Sequence, residues 1–226
     1  EDIYDEFMSK FMEKVRSTQI GDSSKFEGML YGAMLSEKYA SDFLKGLEMI
    51  EKDGAKKLYG EGRITPESSP DGFHGDAAKG VYMWPHVFAN VTEDMKCFYE
   101  EIFGPAVTIV KAKDFDHAVH LANASPYGLS SAIYTNNRLE AYRFKTEIKA
   151  GMTSINNSTT GAEAHLPFGG VKNSGNGSRE SGIWVIEAYS YWHAVNDELS
   201  GKLQLAQMDV DEIEMSKKEV DWTELA

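Results

Sequence analysis

Apolar residues along this chain recur at a few regular spacings. Ile3, Phe7, Phe11 and Val15 fall four apart with Met8 and Met12 beside them, so residues 2–18 predict an amphipathic helix. Ser36 suits the N-cap of a second helix, whose inward face would carry Phe43, Leu44, Leu47 and Ile50 and whose stop would be Gly54. Residues 60–80 are rich in Gly, Pro, Ser and Asp and predict a surface excursion. From Val81 to Val91 the mixture of β-branched and aromatic residues reads as strand, interrupted at Pro85.

Beyond Ala106 the alternation becomes regular. Strands are predicted at 107–110, 131–134 and 152–155, with helices at 114–123 and 138–148 between them. Strand, helix, strand with tight connections is the pattern of right-handed βαβ units. The predicted fold class is therefore α/β, a parallel sheet flanked by helices. Residues 189–193 read as a further strand. No internal repeat of fixed period interrupts this picture.

Composition narrows the possible functions. With 226 residues, 42% of them apolar, the chain can bury one domain and an appendage. A formal charge of −13 argues against nucleic acid and against an anionic membrane surface. No apolar run approaches the length of about 18 residues that a bilayer-spanning helix needs. Residue 1 is Glu and no leader pattern follows it, so cytoplasm is the default expectation. A single cysteine excludes an internal disulfide and a cysteine-based metal cage.

Two motifs carry the candidate chemistry. The first is Glu100-Glu101-Ile102-Phe103-Gly104-Pro105, and the second is Pro167-Phe168-Gly169-Gly170-Val171-Lys172-Asn173-Ser174-Gly175. In that order and at about that separation, the pair resembles the NAD(P)-dependent aldehyde dehydrogenase superfamily, from residue 1 to about Val195. The resemblance implies a partial, aldehyde-dehydrogenase-like catalytic domain over 1–183 and an oligomerisation segment over 184–197. Residues 198–226, acidic and sparsely apolar, lie outside it as a C-terminal tail. The activity implied is oxidation of an aldehyde to a carboxylate with NAD or NADP, through a cysteine thioester. In that family the reactive cysteine lies roughly a hundred residues before the second Glu of the first motif, at or before residue 1 here, so no catalytic residue is expected within this chain. The alternative is a non-catalytic module that keeps the fold for binding or assembly.

The resemblance also implies site residues. Glu101 would hold the nicotinamide ribose, since one carboxylate can accept from two hydroxyls at once. Phe103 would pack near the nicotinamide ring, and Phe168 would line the substrate tunnel. Gly161-Ala162-Glu163 is similar to the loop of members that take amino-acid semialdehydes. There, backbone N–H groups hold the substrate carboxylate, and Glu163 would face an ammonium; an exposed surface loop is the bland alternative. A homodimer or homotetramer is implied, with Tyr189 to His193 adding to a second subunit's sheet.

The remaining candidates read as structural. Cys97 has only Lys96 to activate it and lies on a segment read as extended. His117 and His120 can share a helix face, but no third metal ligand is near in sequence. Asn156 reads as a buried residue fixing the following loop, and Arg179-Glu180 as a charge pair starting a helix. The glycines from 169 to 182 do not match a phosphate-binding loop and are expected to permit tight backbone turns.

Overall fold

The computed structural model describes residues 2–161, 163–197 and 199. In chain order its helices and strands are α1 (Tyr4–Arg16), β1 (Ile20–Gly21), α2 (Glu37–Lys52), β2 (Lys56–Tyr59), β3 (Phe73–His74), β4 (His86–Val91) and β5 (Ala106–Val110). There follow α3 (Phe115–Ala124), β6 (Tyr127–Gly128), β7 (Ser130–Ile133), α4 (Arg138–Glu147), β8 (Met152–Ile155), β9 (Val171–Lys172) and α5 (Val185–Ala188). The predicted α/β class holds, and among the described residues the strands fall into four small sheets.

β4 is buried except at Asn90 and runs antiparallel to β2 and parallel to β5. Pro85 stands just before it, where a missing N–H costs no ladder bond. Helix α2 covers this sheet. Its Ala40, Phe43, Leu47 and Ile50 repeat at helical spacing and bury against Met83, Phe88, Val91 and Cys97. Gly54, at φ +96°, ends the helix in a conformation that L side chains resist.

β7, α4 and β8 form the expected βαβ unit, with β7 and β8 parallel in the register Ser130–Met152 to Ile133–Ile155. Asn137 caps α4 by accepting from the Leu139 N–H, and Asp114 caps α3 by accepting from that of His117. Between the two helices, Arg143 bridges Asp116 and Glu147.

Three expectations need correction. Residues 60–80 are not simply a surface excursion: Ile64 is fully buried beside Ile20, Tyr82 and Trp84, and β3 pairs in parallel with β1. Composition averages over a segment and misses a single anchoring residue. Ile3 and Phe7, on the apolar stripe of α1, are largely exposed, and only Met12 of that helix is buried. Tyr189 to His193 form no strand, because no backbone edge among the described residues pairs with them; Tyr191 and Trp192 are 88% and 93% exposed. The acidic tail predicted over 198–226 lies outside the described residues, Leu199 excepted. Among the described residues, no helix is long and apolar enough to cross a membrane.

Candidate active site

The first motif lies in the connection leading into β5, pressed onto α2. Along an extended stretch, side chains alternate between faces. Ile102 points inward and packs so closely on Gly46 of α2 that a Cβ there would lie 2.8 Å from the isoleucine Cγ2. Gly104 meets the buried ring of Phe43, where a Cβ would come within 2.2 Å. With Ile102 and Gly104 held inward, Glu101 and Phe103 face outward. The Phe103 ring is 73% exposed, and Lys96 pairs with Glu100 at 3.1 Å, not with Glu101. Both line a groove of about 490 Å³ whose other wall includes Tyr39, Asp42 and Met49 of α2.

The second motif builds a separate concavity. Phe168 and Glu180 exchange backbone hydrogen bonds at 2.6 and 2.7 Å, closing the Gly-rich segment into a loop. β9, inside that loop, pairs antiparallel with β6. Lys172 donates from Nζ to the carbonyls of Asn123 and Ser125 at 2.8 and 2.9 Å, tying the loop to the end of α3. Arg179 donates from Nη1 to the carbonyls of Gly170, Gly177 and Ser178. The Arg179-Glu180 pair therefore does not start a helix. The arginine is spent on loop carbonyls, and the glutamate backbone is the closing rung. At Gly151, just before β8, a Cβ would sit 1.7 Å from the Gly169 carbonyl oxygen, so this backbone approach excludes every side chain.

Gly161, Glu163 and Phe168 line one cleft of about 500 Å³ with the residues of β8. Thr153, Ser154, Asn157 and Thr160 add neutral polar groups to its lining. Ala162 lies outside the described residues. Asn156 does fix the loop that follows β8, at φ +53°, accepting from the Thr135 N–H at 2.9 Å and donating to the Thr135 carbonyl at 3.0 Å. It is exposed, not buried as expected, because its partner is the backbone just beyond β7. The cleft and the Glu101–Phe103 groove share no lining residue.

The lone thiol is unsuited to nucleophilic work. Cys97 is buried in a single 3-10 turn (Lys96–Phe98) rather than on an extended segment. Burial pushes its pKa up to about 11, and the Asp53 carboxylate, which accepts from the Cys97 N–H at 2.7 Å, adds to the rise. His117 and His120 do share a face, with ring centroids 6.3 Å apart, and His120 faces Glu93 at 3.1 Å. Among the described residues, no group of three or more metal-ligating side chains converges.

One residue passed over in the sequence stands out in the structure. His86 is 2% exposed and fully satisfied: Nδ1 lies 2.8 Å from the Trp84 carbonyl, and Nε2 accepts from the Gly62 N–H at 3.0 Å. Those partners define one neutral tautomer. Burial lowers its pKa from 6.5 to about 4. Nothing in the run Pro85-His86-Val87 signals this, since the partners come from loop backbone.

Comparison with known proteins places this geometry. Residues 1–195 match the family model described as the aldehyde dehydrogenase family. Vanillin dehydrogenase of Corynebacterium glutamicum is 39% identical over 188 residues, covering 83% of this chain and 35% of that protein. Alpha-ketoglutarate semialdehyde dehydrogenase of Haloferax volcanii is 36% identical over 199 residues, covering 87% of this chain and 39% of that protein. The crystal structure of an NAD-dependent aldehyde dehydrogenase from Sinorhizobium meliloti superposes with a TM-score of 0.78 at 33% identity, over 92% of this chain and 38% of that one. This chain thus spans little more than a third of the length of each.

Proposed function

The chain belongs to the aldehyde dehydrogenase family, and from that premise we propose that it forms part of an enzyme that oxidises an aldehyde to a carboxylate with NAD or NADP. The observation that carries this reading is the locked first motif. Half-buried Ile102 and the Gly104–Phe43 contact hold a carboxylate and a bare aromatic ring side by side on one outward face. Lys45 and Lys96 also line the groove but pair with Asp42 and Glu100, leaving Glu101 without an ion pair among the described residues; such a carboxylate suits ribose hydroxyls, and an exposed ring suits a flat heteroaromatic. The residues present therefore fit a nicotinamide nucleotide, which when bound supplies the hydride acceptor.

In this proposal Glu101 orients the ribose, Phe103 restrains the ring, and the cleft beside Phe168 takes the body of the aldehyde. Semialdehydes of amino acids are the proposed substrate class, following the Gly161-Ala162-Glu163 loop. The nucleophile that forms the thioester is assigned outside residues 1–226, because Cys97 is buried and protonated at neutral pH. Replacing Glu101 with Gln in the native protein that carries this chain should slow the hydride step about fivefold or more, since an amide accepts less strongly than a carboxylate by about 1 kcal/mol or more. Single-turnover kinetics with a deuterated aldehyde read that step directly. An unchanged rate would remove Glu101 from the site.

We further propose that the exposed segment around Tyr191 and Trp192 pairs with a second copy of the chain, giving a homodimer or homotetramer. Such apolar exposure is costly in water and typical of a covered edge. Tyr191→Pro removes one backbone donor and should shift the mass seen by light scattering toward monomer. Retention of the native mass would rule the segment out as the link.

A further inference from the structure

The Glu101–Phe103 groove contains a second aromatic ring, that of Tyr39, and it comes from the helix wall. The contacts of Ile102 with Gly46 and of Gly104 with Phe43 set the first motif antiparallel to α2, so the groove runs toward the N-terminal end of that helix. Tyr39 stands about one turn, some 5.4 Å, before Phe43, which carries it past the Gly104 contact. Packing does not call for an aromatic there. The Tyr39 ring is 46% exposed and lies outside both apolar clusters, and its hydroxyl makes no hydrogen bond among the described residues. Lys38 Nζ lies over the ring, 5.3 Å from its centroid, but it is itself exposed and paired with Asp42 at 2.8 Å. A ring has two faces, and Lys38 takes one.

The charges in the lining leave one carboxylate in excess. Lys45 pairs with Asp42 at 3.4 Å and Lys96 with Glu100 at 3.1 Å, so Glu101 is the net charge. From this arrangement we infer that Tyr39 is a cofactor-positioning residue which, with Phe103 across the groove, favours the oxidised nicotinamide ring over the reduced one. The inference rests on the reading of this groove as the nicotinamide site, and it deepens that reading. The oxidised ring carries a positive charge, whereas the reduced ring is neutral. Aromatic faces attract a cation, and an unpaired carboxylate adds to the same preference. The reduced ring keeps only the apolar part of the contact. Tyr39 acts on binding and orientation and moves no proton in the reaction.

The test is equilibrium binding of NAD+ and NADH to the native protein that carries this chain, without aldehyde, so that no turnover enters the readout. NADP+ and NADPH serve as a second pair of probes. Tyr39→Leu places a good helix former on an exposed helical site and should leave the urea midpoint unchanged. It should weaken binding of the oxidised form about fivefold and of the reduced form distinctly less. Tyr39→Phe keeps the ring and should bind both forms as the native protein does. Equal losses for the two forms in Tyr39→Leu, or no loss for either, would overturn the inference. Phe103→Leu and Glu101→Gln test the groove reading separately. If they weaken binding while Tyr39→Leu does not, Tyr39 alone is removed from the site. If none of the three variants alters binding, the groove is not the nicotinamide site and the inference falls with it.

Discussion

The Glu101–Phe103 groove and the β8 cleft are built by different physics, although each rests on glycine. In the groove, side chains set the backbone: Ile102 fits over Gly46, and the Phe43 ring fits under Gly104. In the cleft, backbone sets backbone, with the Gly169 carbonyl lying against Gly151 and Arg179 and Lys172 donating to main-chain oxygens. A ring can tilt to admit an intruding methyl, whereas a peptide plane within a closed loop cannot. The groove should therefore yield gradually to substitution, and the cleft abruptly.

The largest expected effect is the sharpest test of that contrast. Gly151→Ala sets a methyl 1.7 Å from a carbonyl oxygen and should cost more than about 4 kcal/mol or displace the Gly-rich loop outright. Gly104→Ala meets a buried ring at 2.2 Å and should cost about 2 kcal/mol, within the ordinary range of overpacking. Urea midpoints at constant m-value would measure both. Equal costs would mean that the two regions do not differ in kind.

An effect between those two singles out the groove. His86 lies beneath it, its ring 5.5 Å from that of Phe43. Its folded pKa, about 4, lies below the ordinary 6.5, so between those values the unfolded chain takes up a proton that the folded chain refuses. Stability is therefore complete above about pH 6.5, falls as pH drops toward about 4, and loses nothing more from this group below that. The total is about 3 kcal/mol if the burial is fully expressed. Unfolding free energies of the native chain and His86→Gln, measured across this window, should differ in slope. Parallel curves would show that His86 is not the buried neutral group described.

Much of the scaffold was legible because it depends on local periodicity. The inward face of α2 and the β7–α4–β8 unit follow from spacing, a property of residues close in the chain. The two motifs were legible as a family resemblance, and the family followed from them. The outward direction of Glu101 and Phe103 was not, since it depends on Gly46 and Phe43, some sixty residues away along the chain.

By itself, then, the sequence determined the order and type of the main elements, the family, and which residues could carry chemistry. Tertiary structure alone decided that Ile64 and His86 are buried, that Arg179 Nη1 donates to loop carbonyls, and that Glu163 is the single charge lining its cleft among the described residues. It also decided that Tyr189 to His193 find no partner edge among the described residues. The physical reason is one of range. Helical and strand periodicities are encoded by neighbours within a few positions, whereas burial, counter-charge and ladder pairing depend on whichever distant backbone the fold brings alongside.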